Sequence, residues 1–328
     1  MGLPEQVMEN GPAPFFAWDL ANEYPATSIA GEGDLEFALH LGRVSAGRVR
    51  ICVKTDAAAG LNTREQFEAV SAGRIMLADS FAGALVALHP LFQLPSLPFL
   101  TLGTDDARLL FNLARPHYER VLAGLGQKLL YASPWPPTGL WTRFPIADVQ
   151  TLNGLRVRTY DAGSAQVFGR IGAKAFYTPF TQALGLLAAG ELDGVMSSGD
   201  GGAGARLWPV LPCFTPLHYA VPLSLTTMNL ASWNELDVGL QADIEACAAA
   251  TMRSLWQRMG ARVKENYGRL RQAGGVVAPA LSPVLRAAFG AAAEVVMNDW
   301  LAQAGDEGKM LLSAFRAAKS EQTTGIIR

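Results

Sequence analysis

The chain has 328 residues, with 27 Lys and Arg against 29 Asp and Glu and a formal charge of −2, which excludes a nucleic-acid surface built from clustered base. Half of the residues are hydrophobic and 17% are charged, which excludes disorder and supplies apolar side chains for a large core. At roughly 100 to 200 residues per domain, the length points to two domains.

The opening segment, MGLPEQVMENGPAP, has neither the basic region nor the apolar stretch of a secretory signal, so the chain is read as cytoplasmic or as lacking a signal removed earlier. Asp34 to Ser45 carries apolar residues at helical spacing, Gly47 closes that helix, and RVRICV alternates as a strand. Thr63 precedes a second helix, REQFEAVSA, closed by Gly73 before the strand RIMLA. Phe81 to Leu102 is the most apolar stretch, but His89, Gln93 and prolines at 90, 95 and 98 interrupt it, and no run reaches the ~18 residues of a spanning helix. The chain is therefore not expected to be membrane-embedded. Asp105 and Asp106 read as the first turn of a helix rather than as an acid–base pair.

Further strands are expected at 129–133, 155–160, 175–179 and 222–230, with a helix after Thr181 that Gly190 closes before ELDGVMSS. The proline-rich SPWPPTG at 133–139 marks the crossing between domains. From Asp237 to about Ala273 there is no proline, and apolar residues recur at helical spacing. Such a helix extends roughly 50 Å and is expected to run along both domains. Strands interleaved with helices predict an α/β fold whose ligands sit beyond the carboxyl ends of mostly parallel strands.

Cys52, Cys213 and Cys247 are an odd number, far apart and without a CxxC pair, so they read as buried free thiols, and no metal site is expected. Gly199, Gly201 and Gly204 satisfy GxGxxG, yet Pro209 curtails the helix that should receive a pyrophosphate and no acid follows at the ribose-binding distance. The segment is read as a flexible loop on the ligand side. The alternative is a cytoplasmic oxidoreductase using the Gly199–Gly204 loop for a nucleotide. There is no GxSxG, and the histidines at 40, 89, 117 and 218 have no partnered nucleophile, so no catalytic constellation and no cofactor are expected.

NGLRVRTYDAGSAQVFGRIGA at Asn153, followed by FYTPFTQALGLLAAGELDGVMSS, resembles the signature of the periplasmic substrate-binding proteins of TRAP (tripartite ATP-independent periplasmic) transporters, the DctP-like family. The matches are Gly154 through Arg158, Pro179 with Phe180, and Gly190 through Gly194. SAGRVRICVKTDAAAGLNTREQFEAVSAGRI is similar to the family's early strand, Gly-Leu turn and helix, and LPSLPFL to its proline-rich segment.

The resemblance implies a two-lobed binding-protein fold, mixed sheets flanked by helices, and a long helix spanning both lobes. One lobe would hold 14–133 plus 222–262 and the other 134–221 plus 263–328, with the ligand cleft between them. It implies a periplasmic receptor, not an enzyme, that hands a small organic acid to membrane permease subunits. Arg158 would grip the ligand carboxylate with two parallel hydrogen bonds, which a guanidinium at a strand end suits; read alone, Arg158 is instead exposed or paired with Asp161. Phe180 would pack on the ligand.

Ser197, followed by Ser198, stands where the family often has asparagine. Trp141 stands where many acid binders carry a second arginine, with Arg143 two residues on as the alternative. Asp79 either faces the cleft or caps the next helix. With one carboxylate anchor, a keto, hydroxy or aromatic monocarboxylate is favoured over a dicarboxylate.

Overall fold

A computed structural model of the chain describes residues 15–325; the N-terminal segment read above lies outside them. The first strand, β1 (Phe16–Asn22), leads into α1 (Ile29–Val44), which begins five residues before the apolar spacing predicts because Ser28 caps it, accepting from the Gly31 N–H. Ala46 and Gly47, at φ 51° and 82°, turn the chain into β2 (Val49–Lys54), the edge strand on which Cys52 is exposed rather than buried. A reciprocal cap between Asn62 and Glu65 starts α2 (Thr63–Ser71), and β3 (Leu77–Phe81) follows. The apolar, proline-interrupted stretch forms 3-10 turns at Ala82–Leu85 and Pro90–Ser96, then α3 (Thr104–Gly124) and β4 (Gln127–Pro134).

The chain then crosses to a second sheet. It holds β5 (Thr138–Thr142) and β6 (Arg156–Thr159), α4 (Ala162–Arg170), β7 (Lys174–Tyr177), α5 (Phe180–Ala188) and β8 (Gly194–Ser198). The short α6 (Gly199–Gly204) and β9 (Cys213–Thr215) complete this part. A return crossing delivers β10 (Leu223–Asn229) to the first sheet, followed by α7 (Leu230–Asn234) and α8 (Val238–Gln272). Finally β11 (Val276–Val277) adds to the second sheet ahead of α9 (Pro283–Gly325).

The first sheet has the order β2-β1-β3-β10-β4 and the second β11-β9-β5-β8-β6-β7. In the second, β6, β7 and β8 run parallel while β5 opposes β8 and β9, so the sheets are mixed, with the parallel strands expected from the βα alternation. The fold is the two-lobed α/β architecture anticipated above.

Two helices tie the lobes together. α8 is one unbroken helix of 35 residues that packs on α1 and β4 of the first lobe and on α6 and β11 of the second. α9 breaks at Gly305, where φ 61° and ψ −142° are conformations only glycine adopts freely. Before the break Phe289 meets Phe168 of α4 edge-on, with ring centroids 5.3 Å apart; beyond it Leu311, Leu312 and Phe315 join Phe111 and Tyr118 of α3. The stretch past 305 therefore packs on the first lobe. Among the described residues, no helix is long and apolar enough to cross a membrane.

Two carboxylates lie fully buried inside the first lobe. Asp34 accepts from the Tyr131 hydroxyl and the Asn22 amide, both at 2.7 Å. Asp79 accepts from Thr226 Oγ1 at 2.9 Å through one oxygen, and its other oxygen has no partner. Burial raises both pKa values, Asp79 to about 6, and the charge of Asp79 pushes Asp34 further up. The folded chain holds these protons more tightly than the unfolded chain, so the pair favours folding fully below about pH 4, and this advantage is lost as the pH rises through about 6. Asp79→Asn should remove part of that loss, shrinking the drop in unfolding free energy between pH 5 and pH 8 by on the order of 1–2 kcal/mol. Denaturant titrations at the two pH values check this; an unchanged drop would mean Asp79 is already ionised in the folded protein.

Candidate ligand-binding site

The carboxyl ends of β6 and β8 face the first lobe across a cavity with about 320 Å³ of unfilled space, openings included. Arg158, at the end of β6, is 3% exposed. Its Nε donates to the Thr178 carbonyl at 2.9 Å and its Nη1 to the Met196 carbonyl at 3.1 Å, which fixes the guanidinium plane and leaves Nη2 with no protein partner among the described residues. Among the described residues no carboxylate lies within salt-bridge distance of it. Burial lowers its pKa, an effect opposed by Tyr24 and Glu23, but a guanidinium stays charged. Glu23 is already engaged: one oxygen accepts from Thr63, at 2.9 Å from the N–H and 2.6 Å from the hydroxyl, and the other from Thr181 Oγ1 at 3.1 Å.

Phe180, the first residue of α5, lays its ring 5.4 Å from the Arg158 guanidinium carbon and 5.9 Å from the Tyr24 ring. Ser197 and Ser198 complete this side of the cavity. Ser198 also caps α6, its hydroxyl accepting from the Gly201 N–H at 3.0 Å, whereas among the described residues no hydrogen-bond partner engages the Ser197 hydroxyl. Arg158, Phe180, Ser197 and Ser198 thus line one cavity.

Trp141 and Asp79 do not line it. Trp141 stands level with Arg158, separated from it by Val195 of β8, but α6 covers it: a Cβ on Gly202 would collide with the indole. Its Nε1 donates to the Ser198 carbonyl at 3.1 Å and its ring packs on Phe214 at 5.0 Å. Arg143 is exposed just past β5, at the end remote from Thr138. Asp79 turns its carboxylate into the first lobe, and Phe81, two residues on, reaches the cavity instead.

The glycine-rich segment is not a flexible loop. It is the buried helix α6, and Asp200 within it ion-pairs with Arg262 of α8 at 2.7 Å and accepts from the Ile29 N–H at 2.6 Å. With the Gly201 N–H capped by Ser198 and Asp200 turned inward, this turn offers no cradle for a pyrophosphate.

A buried guanidinium and aromatic walls thus meet in one cavity between the lobes. The model of bacterial extracellular solute-binding protein family 7 (DctP) matches residues 20–303. The chain belongs to this family. A Bordetella pertussis extracytoplasmic solute receptor binding pyroglutamic acid is 26% identical with a TM-score of 0.87, covering 92% of this chain and 99% of that one. A marine metagenome TRAP solute-binding protein specific for pyroglutamate is 21% identical, TM-score 0.87, over 92% and 98%. A Desulfovibrio salexigens TRAP periplasmic solute-binding protein with bound orotic acid is 20% identical, TM-score 0.84, over 93% and 99%. No curated protein matches the chain.

In this family 7 chain several lining residues escaped the sequence reading. Tyr24 follows β1, a strand not expected although FAWDLAN alternates; placing that strand would have put its carboxyl end, and Tyr24, at the cleft. Trp135 and Thr138 sit in the proline-rich crossing, which was read only as a boundary. Trp135 packs on Tyr24 with centroids 4.7 Å apart and donates to Ser224 at 3.0 Å. Tyr160 lies two residues past Arg158 and meets Phe81 edge-on at 5.4 Å.

Arg158→Ala should weaken ligand binding by roughly 2–5 kcal/mol, about thirty-fold to several thousand-fold, with the fold retained. Arg158→Lys should recover only part of this, because an ammonium cannot bond both carbonyls and two carboxylate oxygens in one plane. Calorimetric titration of both variants is the measurement; near-normal affinity in folded Arg158→Ala would remove Arg158 from the site.

Proposed function

We propose that this chain is the extracytoplasmic receptor of a TRAP transporter. It captures a small monocarboxylate bearing a keto, hydroxyl or ring group between its lobes and delivers it in the periplasm to the membrane permease, performing no chemistry on it. The observation that carries the reading is Arg158: buried, fixed by two backbone carbonyls, and lacking an acidic partner. A buried cation without a counter-ion is costly, so an anion is the natural occupant.

Apolar walls from Phe81, Trp135 and Phe180 favour a compact, ring-like body. A single charge is favoured whatever the place of Trp141, since Arg158 is the only base lining the inner cavity among the described residues. Arg64 borders the adjoining outer hollow, where Glu68 already pairs with it at 2.9 Å. Pyroglutamate, the ligand of two of the similar receptors, is a monocarboxylate of this kind.

Native mass spectrometry of the purified protein, with identification of any released molecule, tests the ligand class. A thermal-shift panel should show keto, hydroxy or cyclic monocarboxylates raising the melting temperature more than succinate or malate; the reverse order would place a second base in the cleft. Binding should also change the intrinsic fluorescence through Trp135 at the cavity wall. That response should vanish in Trp135→Phe, and its survival there would locate the responding tryptophan elsewhere.

A further inference from the structure

The two carboxylates buried in the first lobe, Asp34 and Asp79, meet around one hydroxyl. Asp34 reaches in from α1 and Asp79 from β3, while Thr226 of β10 and Tyr131 of β4 stand level with Asp79 across the sheet. Thr226 Oγ1 donates to Asp79 at 2.9 Å and stands within reach of Asp34 and of the Tyr131 hydroxyl. Among the described residues no base pairs with either carboxylate. The charged groups of α8, the helix packed on α1, are engaged elsewhere: Arg258 with Glu36, and Arg262 with Glu32 and Asp200. Two buried acids with no counter-ion must answer to protons instead, so the charge of the cluster is set by how many it holds.

Two tethers run from this cluster to the aromatic wall of the cavity. The Asn22 amide nitrogen donates to Asp34 at 2.7 Å, and the Asn22 carbonyl oxygen accepts from the Tyr24 N–H at 2.8 Å. Ser224, two residues from Thr226 on the same face of β10, accepts from the Trp135 indole N–H at 3.0 Å, and its hydroxyl acts on the Asp79 carboxylate. Tyr24 and Trp135 are the rings packed 4.7 Å apart at the cavity, and the charge of Asp79 also reaches Tyr24. A hydroxyl set between an indole N–H and a carboxylate is polarised when that carboxylate is ionised, which makes its oxygen a better acceptor for the indole. Protonation removes that polarisation. Of the other groups facing the wall, Glu23 is held by Thr63 and Thr181, and Arg158 stays charged throughout. Asp161, which burial also raises to about 6, lies beside Tyr160.

We propose that the Asp34–Asp79 cluster is a proton switch that acts on the Tyr24–Trp135 wall of the cavity through Ser224 and Asn22. On the acid side of the transition the cluster is neutral. On the alkaline side it carries a negative charge behind the wall, which tightens the Trp135–Ser224 bond and opposes an anion in the cavity. Burial sets the transition near pH 6, where Asp79 gives up its proton ahead of Asp34, although the midpoint belongs to the pair. The switch is read without any solute, so it stands or falls apart from the carboxylate reading above.

The test is the fluorescence of Trp135 in the solute-free chain, taken as the difference between the unsubstituted protein and Trp135→Phe. It should titrate once between about pH 5 and pH 8, with a midpoint near 6, and the infrared carbonyl absorption of protonated carboxyl groups should fall over the same range. Asp79→Asn should remove the fluorescence transition and part of the infrared change. Ser224→Ala should remove the fluorescence transition while the infrared change remains, a separation that a merely structural role for Ser224 does not produce. Asp161→Asn should keep the fluorescence transition, and thermal melts establish that each variant folds. A Trp135 signal flat across the range, a transition that survives in Asp79→Asn, or one that disappears in Asp161→Asn overturns the switch. Should Asp79→Asn fail to fold, Ser224→Ala decides, because a transition persisting there overturns the proposal equally.

Discussion

A guanidinium buried without a carboxylate partner is the constraint from which the ligand-binding part of this molecule follows. Removing a cation from water is tolerated only when its donors are engaged. Here two of them are engaged by main-chain carbonyls, Thr178 and Met196, at the ends of neighbouring strands. Carbonyls supply hydrogen bonds but no net charge, so the site retains a full positive charge directed into the cavity. Phe180 adds the face of its ring, which attracts a cation without neutralising it. The strand order places β8 directly beside β6, and that adjacency brings the Met196 carbonyl within reach of Arg158.

Arg262 shows the opposite solution to the same problem. It is 8% exposed, comparable to Arg158, but it meets Asp200 at 2.7 Å and Glu32 at 2.8 Å and donates to the Thr27 carbonyl at 2.7 Å. Its charge is satisfied internally, and Burial there becomes fastening: α8, α6 and the start of α1 are drawn to one point. Asp200 extends the junction by accepting from the Ile29 N–H and from Asn266. Because Ile29 belongs to the first lobe and Asp200 to the second, this network sits where the lobes meet, away from the ligand cavity. One arginine holds the lobes in register and the other is left unsatisfied between them.

The contrast explains how far the sequence could be read. Helices and strands with strong periodicity or capping, such as α2 and the proline-free α8, were legible because local physics sets them. That Arg158, Phe180, Ser197 and Ser198 share a cavity was legible because they stand at strand and helix ends within one ordered pattern; whether they hold a ligand is the proposal made above. Trp141 was misplaced because alignment along a strand gives level and face but not what packs above it; the absence of a Cβ at Gly202 lets α6 close over the indole. Asp79 was misplaced because the carboxylate's direction depends on Thr226 in β10, far away in sequence. The partners that make α6 rigid, Arg262 and Asn266, lie on α8, so the glycine pattern alone read as a loop.

The residues missed share a physical character. Tyr24, Trp135, Thr138 and Tyr160 lie at strand ends or just beyond them, where no periodicity marks which side chain points inward. The anchor, by comparison, is held by backbone atoms that many sequences can supply. A cavity built this way would keep its charge requirement through changes in its other walls. Receptors of this fold with pyroglutamate and with orotate differ in ligand shape but not in the presence of an acidic group. In this chain those walls are the Tyr24–Trp135 pair and the hydroxyl-bearing side chains of Thr138 and Tyr160. On the reading proposed above, charge would select the class of solute at Arg158, and the crossing segments that bring Trp135 and Thr138 to the cavity would discriminate within that class.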